Sequence, residues 1–296
     1  MKTIYIDHNI LVYLVETQNK EEDEALANIL ESQGITFLCS LWNLAETSNG
    51  KNYNQSLNLA KFLDNIKPQW ILERLNIQEE EVKNFIYSNY YKIEYEPVSP
   101  IRSYLSEVFS YMASDSVLIG TTAEKIVGSW LRNPSYMDEI NQVKKNTPKA
   151  LSTLQKAKKR GHYNAKLMEV VDRLRFSKLI PTLSYDSSPI SEDEKKDILE
   201  FLMTKRKVLR KNSPCLAVEG VISDFRVSNP KRKPEEQDAI DLQHSVPALA
   251  YADYFVTNDR FLRSGAEFVK KHRSLDSLKI TNNISEVYSD FNSTDV

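Results

Sequence analysis

The chain has 296 residues, a formal net charge of −2 and 41% hydrophobic residues. This length and apolar content are sufficient for a packed core, and together with the low net charge they exclude a disordered chain. Only 7 residues are glycine, and the sequence contains neither a G-x-G-x-x-G nor a G-x-x-x-x-G-K-[ST] motif. These features argue against the Rossmann and P-loop nucleotide-binding folds.

The cysteine content and the apolar runs of the sequence indicate a cellular compartment. Cys39 and Cys215 lie far apart in apolar surroundings, and we interpret them as reduced core residues rather than metal ligands. The sequence has no apolar run of about 18 residues, so no membrane span is predicted. The first residues are strand-like and lack the apolar region of a signal peptide. We therefore expect a soluble, cytoplasmic protein.

The N-terminal part alternates short apolar strands with amphipathic helices. Residues 2–6 are mostly β-branched or aromatic and predict a strand, and apolar residues with helical spacing follow over 10–16 and 21–32. A second buried strand is predicted over 35–39, and Ser40 is a suitable N-cap for the helix after it.

The C-terminal part repeats this alternation. The pattern predicts a helix over 236–250, a strand over 254–257, a helix over 260–272, a strand over 278–280 and a last helix from Ser285. Short apolar strands that alternate with helices are typical of an α/β protein with a mainly parallel sheet covered on both faces.

Residues 67–235 show little strand signal. We predict that they form a large helical insertion, or helical subdomain, within a discontinuous α/β core made of residues 1–66 and 236–296. No internal repeat is evident in the sequence.

The charge of this middle region is strongly asymmetric. Residues 144–233 contain 22 Lys and Arg against 10 Asp and Glu, a net charge of +12, so the rest of the chain has a net charge of −14. This basic module is a candidate surface for a polyanion, although a solvated, lysine-rich helix face is an alternative. The candidate nucleic-acid contacts are Lys156, Lys158, Lys159, Arg160, Lys166, Arg173 and Arg175.

Acidic residues occupy positions where a parallel sheet would bring three or four of them together. Asp7 follows the first strand, Glu46 lies on the helix after the second strand, Asp259 follows the strand at 254–257, and Asp241 lies with Asp238 on one face of a later helix. Because the carboxyl ends of parallel strands share one edge, we expect Asp7 and Asp259 to lie there, where the helix that carries Glu46 also starts. Converging carboxylates need a cation, and oxygen ligands favour Mg²⁺ or Mn²⁺, as one or two ions.

Several of these acids have a structural alternative. Asp7 could cap the helix that follows it, and Glu46 could be an ordinary helix-surface residue. Asp238 lies three positions before Asp241 on the same helical face, and we favour Asp241 as the ligand and Asp238 as an outer or helix-start residue. Asp253 starts the strand that Asp259 ends, about 20 Å away, and is predicted to be structural.

Other polar residues close to these acids are candidates for an outer shell. Asn9, Thr257 and His244 belong to this group together with Asp238. For His8 and His244 a neutral core or surface role is the favoured interpretation. His244 could also contact a phosphate from the face that carries Asp241.

The pattern resembles a PIN domain. The resemblance rests on the D-x-N start at Asp7, on Glu46, and on the C-terminal segment D-L-Q-H…Y-A-D-Y-F-V-T-N-D, and it covers residues 1–66 and 236–296. It implies a three-layer α/β/α core. It also implies a metal-dependent nuclease, usually an endoribonuclease, as in toxins of toxin–antitoxin operons and in RNA-processing enzymes.

The resemblance assigns a role to each acidic position. Asp7, Glu46, Asp241 and Asp259 correspond in order to the four metal-binding acids of the family, and Asn9 corresponds to the small polar residue that orients the first of them. The implied reaction is in-line attack of a metal-activated water on phosphorus, which leaves a 5′-phosphate and a 3′-hydroxyl.

The leading hypothesis from the sequence is a Mg²⁺- or Mn²⁺-dependent PIN-type nuclease that acts on RNA in preference to DNA. One alternative is a catalytically silent PIN-like module that binds nucleic acid or protein. A second alternative is a metal-dependent nucleotide phosphohydrolase. An inhibitory or regulatory protein partner and a homodimer are further expectations, while the biological pathway is left open by the sequence.

Overall fold

The computed structural model of the chain describes residues 1–17, 19–32, 34–50, 52–112, 120–180, 184–185, 188–229 and 232–294. The strands, in chain order, are β1 (Lys2–Ile6), β2 (Ile35–Ser40), β3 (Gln69–Ile71), β4 (Ile101–Arg102), β5 (Ser184–Tyr185), β6 (Ser188–Pro189), β7 (Tyr254–Val256) and β8 (Lys279–Thr281). The α-helices are α1 (His8–Glu16), α2 (Lys20–Glu31), α3 (Leu41–Ser48), α4 (Tyr53–Ile66), α5 (Arg74–Ile86), α6 (Leu105–Met112), α7 (Ala123–Arg132), α8 (Asp138–Lys159), α9 (Ala165–Leu179), α10 (Glu192–Asn212), α11 (Pro214–Ser228), α12 (Gln237–Tyr251), α13 (Arg260–Arg273) and α14 (Ile284–Thr294). The expected α/β class is therefore confirmed.

The main sheet has six strands in the order β4-β3-β2-β1-β7-β8. All pairings are parallel except that of β3 with β4 at the edge. The chain leaves β1 toward β2 and β3 on one side and returns to β7 and β8 on the other. The strand order therefore reverses between β1 and β7, and ligands of open α/β sheets bind outside the carboxyl ends of the strands at such a point.

The central strands are covered on both faces. Ile4, Tyr5 and Ile6 are consecutive in β1 and each is fully buried. Successive strand residues point to opposite faces, so helices must shield both sides of the sheet. The consecutive burial of Tyr254, Phe255 and Val256 in β7 shows the same arrangement.

The sheet extends beyond the predicted boundary at residue 66. Strands β3 and β4 lie within residues 67–235, and β3 pairs with β2 through Cys39 and Trp70. The sequence prediction missed them because runs of three and two residues are too short to show a periodicity. The prediction of a helical insertion over 67–235 did not include these two strands of the main sheet.

The rest of the middle region is helical and forms two packing groups. Val127 of α7, Leu151 of α8 and Ile222 of α11 belong to the same hydrophobic cluster as the sheet. A second cluster joins α5, α9, α10 and α11 and includes Phe176 and Leu202. The region is therefore in part continuous with the sheet's own core.

Cys39 and Cys215 are free and buried, as expected for core residues. Among the residues that the structure describes, no helix combines the length and the apolar composition needed to cross a bilayer.

Candidate metal centre

Asp7 and Asp259 lie at the carboxyl edge of the sheet, on either side of the point where the strand order reverses. Asp7 follows β1, and its Oδ1 accepts a hydrogen bond of 2.8 Å from the His8 backbone N–H at the start of α1. Asp259 is the N-cap of α13, and its Oδ1 accepts a hydrogen bond of 2.7 Å from the Leu262 N–H. Thr257 connects them, because its hydroxyl donates to Asp7 Oδ2 at 2.9 Å and accepts from the Asp259 N–H at 3.2 Å.

Asp7 therefore has both of the roles weighed from the sequence. Its Oδ1 caps a helix, while its carboxylate also lines the cavity described below. Thr257 holds the other oxygen, so the orientation of this carboxylate is fixed from two sides.

Glu46 reaches the same edge from α3. This helix starts directly after β2, with a reciprocal capping box between Ser40 and Asn43, which sets the direction of the helix as it leaves the strand. The side-chain amide of Gln237 donates to Glu46 Oε1 at 2.8 Å and to Asp241 Oδ1 at 3.3 Å. Gln237 thereby links the acid of α3 to the acid of α12.

Asp241 and Asp238 have different surroundings although they are one turn apart on α12. Asp241 is close to the buried guanidinium of Arg226 on α11, with 3.2 Å between Nη2 and Oδ2, and it also lines the cavity. Asp238 is fully buried and accepts hydrogen bonds from Arg226, from Arg232 and, at 2.7 Å, from the Glu235 N–H. Asp241 therefore faces the cavity, while Asp238 is enclosed by cations.

The four acids predicted from the sequence line a single cavity of about 290 Å³. Lys144 of α8 is the cationic side chain in its wall. The lining residues are Asp7, His8, Asn9, Glu46, Asn49, Lys144, Gln237, Ile240, Asp241 and Asp259. Asn9 lies in this wall as well, whereas His244 is fully buried behind it, with 3.9 Å between its Nε2 and Asp7 Oδ1.

The electrostatics of the cavity disfavour the ionised acids. Burial raises the pKa of Asp7 to about 7, against the opposing hydrogen bond from Thr257. Burial also raises the pKa of Glu46 to about 8, and the charge of Asp7 adds to this effect. The pKa of Asp241 is raised by burial, although Arg226 opposes the shift. A divalent cation would reverse these shifts because it stabilises the ionised carboxylates.

The polar atoms around Asp7 fit a divalent cation. Glu46 Oε2 and both ring nitrogens of His244 are buried and have no hydrogen-bond partner among the described residues. Asp7, Glu46 and His244 each offer one ligand atom, and these atoms lie within 4.8 Å of one another. Ligands bound at about 2.1 Å from one ion are about 3–4 Å apart, so a small closure would bring this group around a metal.

Asp253, the acid at the other end of β7, does not line the cavity. Asp253 Oδ2 accepts a 2.9 Å hydrogen bond from the Thr3 N–H, and Oδ1 accepts from Lys2 Nζ at 3.0 Å. The residue joins the amino ends of β1 and β7, which is a structural role.

Sequence reasoning missed Gln237, Arg226 and Lys144, which supply a hydrogen bond or a positive charge close to the acids. Gln237 lies four positions before Asp241, on the same helical face, so this spacing could have identified it. Arg226 and Lys144 come from other helices, α11 and α8, and only the packing of these helices on α12 brings them to the acids.

The candidate nucleic-acid contacts on α8 and α9 divide into two groups. Lys156, Lys159, Arg160 and Lys166 are exposed. The other three form ion pairs within the chain: Lys158 with Asp224 at 3.0 Å, Arg173 with Glu200 at 2.5 Å, and Arg175 with Glu219 at 2.9 Å. The partner of Arg175 is itself buried, so this arginine is directed into the helical region.

Comparison with protein-family models, with curated proteins and with solved structures finds no match for this chain.

Proposed function

We propose that the protein is a Mg²⁺- or Mn²⁺-dependent nuclease of the PIN type that hydrolyses phosphodiester bonds, with RNA as its preferred polymer. The observation that carries the proposal is the convergence of Asp7, Glu46, Asp241 and Asp259 on one cavity at the carboxyl edge of the sheet. The proposal includes a three-layer PIN-like core around this edge and a cytoplasmic location.

The acids would hold the metal, and neighbouring side chains would keep them in place. Thr257 fixes the Asp7 carboxylate, and Gln237 spans Glu46 and Asp241. Arg226 offsets part of the negative charge on the side of Asp241. When bound, the metal supplies Lewis-acid stabilisation of a phosphoryl oxygen and lowers the pKa of water.

A polymer substrate is favoured by the charge around the cavity. Lys144 lies in the cavity wall and belongs to α8, whose exposed lysines continue away from it. Lys159, at the far end of α8, is about 22 Å further along the helix. A single mononucleotide cannot contact cations over this length, whereas a nucleic-acid backbone can.

The test is cleavage of labelled single-stranded RNA, structured RNA and DNA, each with Mg²⁺, Mn²⁺ or EDTA. We expect metal-dependent cleavage, strongest on RNA, that is lost in Asp7→Asn. Asp253→Asn is the matched control, because it changes an acid at the opposite end of the same strand pair. Full activity of Asp7→Asn would contradict the proposal, and turnover of mononucleotides alone would indicate a nucleotide phosphohydrolase.

Absence of cleavage by the wild type, with salt-sensitive RNA binding retained, would favour a silent binding module. In that case Asp7→Asn should bind RNA as well as the wild type does.

A further inference from the structure

One buried histidine is not explained by the four-acid site. His244 lies on α12, three positions after Asp241, and has no exposed surface. A histidine in a protein core normally has a hydrogen-bond partner for its ring. Within the described part of the chain, neither ring nitrogen of His244 has one.

The ring is held with its Nε2 directed toward the acids. Tyr5 of β1 stacks on the imidazole, with 5.8 Å between the ring centroids and 12° between the planes. The Tyr5 hydroxyl is in turn anchored by a 3.1 Å hydrogen bond to Asn43 Oδ1. His244 Nε2 lies 3.9 Å from Asp7 Oδ1, a separation that two ligands of the same ion can have.

We propose that His244 is a metal ligand and that, with Asp7 and Glu46, it forms an inner site selective for a first-row transition-metal ion over Mg²⁺. The proposal rests on the proposed function, since it concerns the same cavity. Imidazole nitrogen suits the first-row transition metals better than it suits Mg²⁺. The inner position also requires an ion to lose much of its water, which Mg²⁺ does reluctantly.

The direct test uses Mn²⁺ as the probe and electron spin-echo envelope modulation as the readout. The wild-type protein is prepared with natural histidine and with [¹⁵N]histidine and is loaded with less than one equivalent of Mn²⁺. We expect ¹⁴N modulation in the first sample and its replacement by ¹⁵N modulation in the second. This measurement needs no variant, so it does not depend on whether a core substitution folds.

Variants assign the nitrogen to its residue. His244→Gln should lose the modulation. It should also raise the Mn²⁺ dissociation constant by about 10–100-fold or more, because loss of a residue that only supports a metal ligand already has an effect of this size. Its Mg²⁺ dissociation constant should change by about twofold at most, since Mg²⁺ prefers oxygen ligands. His162→Gln, at an exposed histidine, is the matched control and should match the wild type in both respects.

Three results would overturn the inference: Mn²⁺ that binds without nitrogen modulation, modulation that persists in His244→Gln, or no Mn²⁺ binding at all. The RNA cleavage assay separates this inference from the proposed function. Cleavage without nitrogen coordination would refute the ligand role and leave the nuclease intact. Nitrogen coordination without cleavage of any polymer would support the ligand role and refute the nuclease.

Discussion

The protein buries carboxylates in two regions with opposite electrostatics. In the cavity, Asp7 and Glu46 have raised pKa values because burial disfavours their charge and neighbouring acids add to that effect. In the helical region, Glu219 of α11 is also buried, yet its pKa is lowered. Burial also opposes the ionisation of Glu219, but Arg74 and Arg175 outweigh it.

The difference lies in the cations that each region provides. Glu219 is paired with two arginines and accepts a hydrogen bond from Gln78, so its charge is satisfied inside the chain and serves to join α5, α9 and α11. The cavity acids exceed the cations near them, since Arg226 and Lys144 face a group of four carboxylates. This excess of carboxylates with raised pKa values over nearby cations is the feature on which the proposed metal site rests.

The largest effect that this comparison predicts is on catalysis. Asp241→Asn should lower the cleavage rate by about 10²–10³-fold, the size of loss seen when one electrostatic contributor at a reacting centre is removed. RNA affinity should be unchanged or higher, because a negative charge facing the phosphates is lost. Cleavage and filter binding on the same RNA measure the two quantities, and a parallel loss of both would contradict the account.

The second prediction is that replacing a carboxylate by its amide has a different effect on the stability of the protein in each of the two regions. Glu219→Gln leaves two partly buried arginines without their anion and should lower the free energy of unfolding by about 3 kcal/mol. Glu46→Gln removes a carboxylate whose charge is disfavoured and should leave the metal-free protein unchanged or more stable. Urea denaturation in EDTA compares them, and equal destabilisation by both substitutions would remove the distinction.

The third prediction is a pH dependence of the metal-free protein. Asp7 and Glu46 have folded-state pKa values of about 7 and about 8, against unfolded values of about 4. As pH rises between these limits, the unfolded chain releases protons that the folded protein retains, so the free energy of unfolding falls. The slope is at most about 1.4 kcal/mol per pH unit for each such carboxyl.

The free energy of unfolding should depend less steeply on pH in Asp7→Asn and in Glu46→Gln, because each variant lacks one of the titrating groups. Saturating Mn²⁺ should reverse the trend in the wild type, since metal binding requires ionised ligands and releases protons. Identical pH profiles for the wild type and both variants would show that these groups do not titrate as described.

The smallest predicted effect is on substrate binding by α8. Lys144→Gln removes the cation of the cavity wall, and Lys145→Gln removes its exposed neighbour as a matched control. If Lys144 contacts a phosphate, the slope of log affinity against log salt should become shallower by about 0.7 for single-stranded RNA. RNA affinity is measured at several salt concentrations, and an equal change in both variants would locate the contact outside the cavity.

Much of the fold could be predicted because its central elements have strong local signals. β1, β2 and β7 are apolar runs that end at polar residues, and Asp7 and Asp259 could be placed at one sheet edge from their positions after strands. β3 and β4 were missed because so few residues carry no periodicity.

The site could be predicted only where its residues belong to such elements. Arg226 and Lys144 depend on how α11 and α8 pack, which no local pattern encodes. The pairing of Arg175 with Glu219 has the same origin: a basic side chain in the sequence became an internal counter-ion in the fold. His244 was interpreted as a neutral core or surface residue; it is buried, and its lack of a hydrogen-bond partner among the described residues is visible only in three dimensions.

The most direct test of the central claim is anomalous diffraction from crystals of the protein grown with Mn²⁺. We expect a strong manganese peak inside the cavity, in contact with the carboxylates of Asp7 and Glu46. A cavity without manganese at saturating concentration, with peaks only at acids elsewhere such as Asp253, would contradict it.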